Sequence, residues 1–263
     1  DRPFITVNSG SLPPDLLALV CASHDGTPRH LAGVARVLAG AGLDPADLGN
    51  IASLPLDREA AEAVLRSGGG PTTLAMNCSG KHSGMLATCV HRGWAHDATY
   101  LNVHHPLQEL ITGVIDELSG APHAHIGVDG CGAPAHAMSL IGLARAFRSI
   151  ATGAAGKAGD EVYAAMTGYP DLVGGDTRDV TMLMREITGL IAKDGADGVF
   201  AAALPDGRAV ALKVADGGDR ARSPVMVAAL RALCVDTSSV APLVAELVMG
   251  HGHPVGEVRA IAP

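Results

Sequence analysis

The chain has 263 residues, of which 48% are hydrophobic but only 3% aromatic, and it carries a net charge of −8. A chain of this length can bury a large core, and with so few aromatic residues Ala, Val and Leu must fill it. The acidic balance without a basic block argues against nucleic-acid or anionic-membrane partners, and the lack of an uncharged apolar run of about 18 residues argues against a transmembrane span.

Asp1-Arg2-Pro3-Phe4 does not read as a signal peptide, so the expected location is cytoplasmic. Five cysteines (Cys21, Cys78, Cys89, Cys131, Cys234) do not make a disulfide framework in such a chain. They read as thiols, some buried and some available to a metal. Cys89 and Cys234 sit among apolar residues, where cysteine behaves as a small hydrophobe.

Leu16 to Val20 is an apolar run, and Thr27-Pro28 then opens a helix carrying Leu31, Val34, Ala35 and Leu38 until Gly40 and Gly42 end it. A second helix is predicted over 57–66, stopped by Gly68-Gly69-Gly70, and a short strand over 72–76. The helix after Cys78 presents Met85, Leu86, Cys89 and Val90, and Pro106 opens another with Leu107, Leu110, Ile111, Val114 and Leu118 inward. A strand is predicted over 124–128, a helix over 135–150 and a surface loop over 153–160. Strands follow at 190–193, 198–204 and 208–214, the last two joined by Pro205-Asp206-Gly207, with helices at about 220–234 and 239–249. Helices set between an early and a late sheet segment predict a mixed α/β or α+β fold.

The chemistry concentrates in Asn77-Cys78-Ser79-Gly80-Lys81-His82 and Asp129-Gly130-Cys131-Gly132. Cys78 and Lys81, at i and i+3, share one side of a turn, and a thiolate is a good zinc ligand. A lysine ligates only as the neutral amine. Only four lysines occur (Lys81, Lys157, Lys193, Lys213), so one between Gly80 and His82 stands out. Cys131 completes such a site from a second loop, with Asp129 ligating or orienting it. Two thiolates exclude magnesium and calcium. The competing reading is two ordinary buried cysteines near glycine turns. Ser23, between an apolar run and a helix, reads either as a helix cap or as a reactive hydroxyl, and Lys193 either as an edge-strand charge or as an amine serving a serine. His104-His105, His123-x-His125 and His251-x-His253 read as solvated or capping residues. No Walker A loop, Gly-x-Ser-x-Gly elbow or Gly-x-Gly-x-x-Gly is present.

The segments Cys21–Pro28, Asn77–Met85 and Gly127–Pro134 resemble the signature blocks of the Rhizobium-type L-asparaginases, the asparaginase II family. Val173-Gly174-Gly175, 192–199 and Ala211-Leu212-Lys213 are similar too, so the resemblance runs from about residue 12 onward. It implies a serine β-lactamase-like fold, with a central, largely antiparallel sheet flanked by helices and a helical lobe. The implied layout is a single domain over 1–263, the helical lobe at about 27–120 and the sheet lobe at about 121–263 plus the N-terminal segment. It implies hydrolysis of L-asparagine to aspartate and ammonia by serine–lysine chemistry, in a homodimer. Ser23 and Lys193 would be catalytic, Cys78, Lys81 and Cys131 would hold zinc, and His82 and Asp129 would bind substrate. The family's nucleophile lies in a Ser-x-x-Lys element upstream of the Ser23 block. No Ser-x-x-Lys occurs in these residues, and Arg2-Pro3-Phe4 resembles the element's end with Arg in the lysine's place. The expectation is therefore a chain that starts after its nucleophile element. The alternative is a catalytically inactive zinc- or amino-acid-binding homologue.

Overall fold

Leu16 to Leu19 are all buried, so α1 (Pro14–Val20) is a helix wrapped by apolar neighbours on every side. Leu16, Leu17 and Ala18 face one hydrophobic cluster, and Leu19 faces the other. Full burial of such a leucine is worth about 1.5–3 kcal/mol, which makes α1 a fixed axis from which the chain emerges at Cys21. A computed structural model describes residues 6–7 and 10–261; Arg2-Pro3-Phe4 lies outside the described residues.

Short antiparallel strands β1 (Thr6–Val7) and β2 (Gly10–Ser11) precede α1. Then come α2 (Pro28–Gly40), with Thr27 at its N-cap, and α3 (Arg58–Arg66), capped by the Asp57 carboxylate. They are followed by α4 (Ser79–Arg92) and α5 (Pro106–Ser119). An antiparallel hairpin, β3 (His125–Val128) and β4 (Pro134–Ala137), leads to α6 (Leu140–Ala151), α7 (Gly156–Gly168), α8 (Pro170–Val173) and α9 (Asp179–Glu186). The central antiparallel sheet is β5 (Ile191–Gly195), β6 (Val199–Ala203) and β7 (Ala209–Lys213), with Lys193 opposite Ala201 and Ala201 opposite Ala211. After α10 (Arg222–Ala232), the hairpin β8 (Ala245–Gly250) and β9 (His253–Arg259) follows. The fold is α+β, as its pattern predicts.

The low aromatic content shows in the core. Phe200-Ala201-Ala202-Ala203 of β6 is buried throughout, and α6, α9 and α10 pack against a sheet thinned by alanine. Among the described residues, Tyr100 and Phe200 are the largest fully buried side chains. In α4, a Cβ on Gly80 would lie 2.2 Å from the Leu19 carbonyl oxygen, and one on Gly84 would lie 2.5 Å from Val20. Glycine at both positions brings α4 against the end of α1. Among the described residues no helix is long and apolar enough to cross a membrane.

Four local expectations are corrected. Residues 72–76 form turns with a single bridge, Thr72 to Ser53, because Thr72 Oγ1 accepts from Ala75 N–H and the Asn50 amide donates to the Thr73 carbonyl. Of the expected loop over 153–160, 153–155 is a turn, whereas 156–160 starts α7, which packs on α1 and needs little bulk there. Residues 135–137 pair with 125–127 as a strand before α6 begins. The segment 239–249 is a 3-10 turn containing Pro242, followed by β8, because pairing with β9 across Gly250-His251-Gly252 outweighs helical spacing.

Candidate active site

The chain leaves α1 at Cys21 and runs through Ser23-His24-Asp25 as a bridge between neighbouring segments. Ser23 N–H donates to the Val173 carbonyl (3.1 Å), His24 N–H to Asn77 (3.0 Å) and Asp25 N–H to Gly174 (2.7 Å). Every backbone donor of the bridge is thereby satisfied, as burial requires. A Cβ on Gly175 would sit 1.8 Å from an Asp25 carboxylate oxygen, so only glycine fits there.

Ser23 is not the cap of α2; Thr27 is. Its Oγ instead lies 2.7 Å from Lys193 Nζ. Lys193 enters from β5 and also donates to the Asp194 carbonyl and, at 3.2 Å, to Asp194 Oδ1. Burial lowers the Lys193 pKa; Asp194 pulls it back up, and the Arg178 guanidinium pushes it further down. The same low-polarity surroundings push the nearby Cys21 thiol up to about 12.

A second cluster lies next to the first, close enough for a Cys78 thiolate to act on Lys193 electrostatically. Cys78 is the N-cap residue of α4 and Lys81 lies in its first turn. The helix N-terminus there favours negative charge. Cys131 and Asp129 sit on the turn between β3 and β4, where Asp129 N–H donates to the Ala133 carbonyl and Gly132 adopts φ +90. Ligand atoms of Cys78, Asp129 and Cys131 all lie within 4.8 Å of one another. Lys81 Nζ is 3.3 Å from Cys131 Sγ and 3.3 Å from Asp129 Oδ2. A hydrogen bond from Cys78 depresses Cys131, with His82 and Lys81 adding to the effect, and Cys78 is correspondingly raised. Burial would lower the Lys81 ammonium, but Cys78, Cys131 and Asp129 together hold it above its ordinary range.

His24 and Arg178 tie the two clusters to the frame. His24 is fully buried; Gly26 N–H donates to its Nδ1 at 3.1 Å, which leaves Nε2–H to donate to Ser79 Oγ at 2.9 Å. Ser79 Oγ in turn donates to the Leu74 carbonyl. Burial holds His24 down at about 3, so it stays neutral at physiological pH. Arg178, at the start of α9, donates to Asp25 Oδ1 (3.0 Å) and pairs with Asp194 Oδ2.

A model of the L-asparaginase II family matches residues 6–260. The chain belongs to that family. A search of the curated proteins returned no match.

The family's asparaginase character points to hydrolase chemistry on a small molecule, and the residues expected to carry it converge on one region. Ser23 meets Lys193, while Cys78, Lys81, Asp129 and Cys131 meet one another. His82 is fully buried, with Nδ1 2.5 Å from the Tyr100 hydroxyl, and it reaches the site as a neighbour of Cys131. Sequence reading missed His24, Asp25, Arg178 and Asp194. Asp194 directly follows Lys193 and His24 directly follows Ser23, so both were within view. Arg178 carries no spacing signal toward either.

Proposed function

We propose that the chain acts as an amidohydrolase, releasing ammonia from the side-chain amide of L-asparagine and leaving L-aspartate. Ser23 and Lys193 move the proton, and a zinc ion sits among Cys78, Lys81 and Cys131. The observation that carries this reading is the 2.7 Å contact between Ser23 Oγ and Lys193 Nζ in surroundings that lower the lysine's pKa. A serine hydroxyl is a weak nucleophile and a weak proton carrier at its ordinary pKa. A neutral amine in hydrogen-bond reach accepts its proton and returns it to the departing nitrogen. The nucleophilic serine, on this reading, belongs to the Ser-x-x-Lys element of the family, for which Ser23 and Lys193 form the relay.

The metal set fits its residues. Two sulfurs are soft donors and the Lys81 amine and adjacent carboxylate harder ones, a mixed set that zinc would accept once it displaced the Lys81 proton, and their spacing suits bonds of about 2.0–2.3 Å to a common ion. When bound, zinc supplies Lewis-acid polarisation and orientation of the substrate. Asp129 stays partly exposed, where its carboxylate can take the substrate's α-amino group, and His82 supports that side through Cys131.

Ammonia release from L-asparagine by the full-length protein, with and without added zinc, tests the reading. Turnover is the expected result. Zinc or asparagine binding without turnover would replace it with an inactive binding homologue.

A further inference from the structure

A carboxylate beside a lysine ordinarily keeps that lysine charged, because the ammonium gains an opposite charge at contact distance. Lys193 has such a neighbour in Asp194, at 3.2 Å from Oδ1. A proton acceptor in that position would be occupied in advance. The structure shows where the Asp194 charge goes. Its other oxygen, Oδ2, pairs with Arg178 Nη2 and lies 3.5 Å from Arg222 Nη1. Arg222 is also shared with Asp179 (3.1 Å) and lies over the Phe200 ring. Arg178 instead pairs with two buried carboxylates, Asp194 and Asp25. Its second nitrogen bonds Asp25 Oδ1 at 3.0 Å and reaches the Ser23 carbonyl at 3.4 Å. One planar guanidinium thus grips the segment that carries the serine and the carboxylate that faces the lysine. Lysine could not reproduce that forked grip.

We propose that Arg178 is a positioning residue for the Ser23–Lys193 pair: it engages Asp194 and the Ser23–Asp25 bridge together, so that the carboxylate charge Lys193 faces is shared with a guanidinium and its amine is freer to accept the serine proton. The inference rests on the serine–lysine reading above and adds to it the residue that sets the amine's charge. The groups facing Lys193 agree. Asp194 lies beside it on β5, Arg178 stands at the start of α9, Arg222 reaches Asp194 from α10, and Cys21 and Cys78 approach from the ends of α1 and the turn before α4. Asp25 is the remaining buried carboxylate, held by Arg178 itself, and burial raises its pKa.

Lysine is rare in these 263 residues, with four in all, so each amine can be followed by NMR on 13Cε-lysine-labelled protein, the Lys193 signal being the one lost in Lys193→Arg. The expected result for Arg178→Gln is an upward move of the Lys193 titration by about one pH unit or more, the size of one uncompensated charge at such distances. In Arg178→Gln/Asp194→Asn the move should vanish, because the carboxylate has gone too. If Lys193 does not move in Arg178→Gln, or moves equally with and without Asp194, the inference fails. Should Arg178→Gln not fold, Arg178→Lys decides. An amine that cannot hold Asp194 and the bridge together should move Lys193 upward by about half a pH unit or more, and an unmoved Lys193 overturns the proposal. The readout does not depend on turnover. An inactive wild type with a responsive Lys193 refutes the catalytic reading alone, and an active wild type with an unresponsive Lys193 refutes this inference alone.

Discussion

Lys193 Nζ lies 2.7 Å from Ser23 Oγ although 170 positions separate the two residues in sequence. Two rigid supports create that contact. Ser23 follows a helix whose Leu16–Leu19 turn is buried, and Lys193 projects from a sheet whose strands are locked by continuous antiparallel pairing. The pair is therefore preorganised, and neither side chain depends on a surface loop for its position.

The protonation state of Lys193 gives a pH prediction. Burial lowers its pKa, so the neutral, proton-accepting form is present above that lowered value and lost as pH falls through it. The rate of ammonia release should rise with pH along a single-proton limb below the ordinary lysine value of about 10.4. A profile of kcat/KM against pH checks this, and a limb of the opposite slope would be inconsistent with a lysine base.

His24 makes a stability prediction of definite sign. Its pKa is about 3 folded against an ordinary 6.5, so between those values the unfolded chain binds the extra proton. Stability is fully present above about 6.5 and declines as pH falls toward about 3, by about a few kcal/mol. His30, stacked on His24 at 5.1 Å, is also lowered by burial and acts in the same direction. Urea unfolding at a series of pH values should show a shallower acid decline in His24→Gln than in wild type. Equal declines would mean His24 is not the group responsible.

Gly80→Ala should destabilise the protein by about 1–3 kcal/mol, the usual cost of overpacking. The new Cβ would stand 2.2 Å from the Leu19 carbonyl oxygen, a backbone atom of a buried helix that cannot step aside. Moving α4 instead would carry Cys78 and Lys81 away from Cys131. Thermal denaturation measures the loss, and unchanged stability would show that α1 and α4 are less tightly opposed than the geometry requires.

Much of this architecture is written locally in the sequence. Thr27-Pro28 and Pro106 mark helix starts, and Pro205-Asp206-Gly207 marks the turn between β6 and β7. Cys78 and Lys81, three residues apart, share one side of the first turn of α4 as their spacing indicates. What the sequence hides is non-local. The pairing of β8 with β9 overrides an apolar run that reads as helical, and α7 forms from small residues because α1 supplies its packing. Arg178 is an unremarkable arginine until the fold brings Asp25 and Asp194 to it from 153 and 16 positions away. The expected site residues lie within the blocks that resemble the family, and the geometry shows how they meet.

The metal reading predicts about one zinc ion per chain in wild-type protein and a large loss in Cys78→Ala and Cys131→Ser, measured by elemental analysis after dialysis. Asparagine affinity should weaken in the same variants. Zinc retained in both would place the metal elsewhere, and zinc lost with affinity unchanged would remove it from the substrate's side of the site.

The central claim is tested most directly by the kcat for ammonia release from L-asparagine in full-length wild type, Ser23→Ala, Lys193→Ala and Lys193→Arg. The account predicts that each substitution lowers kcat by about 10²–10⁴-fold, with Arg no better than Ala because a guanidinium does not give up its proton. Folded variants that turn over at the wild-type rate would contradict it.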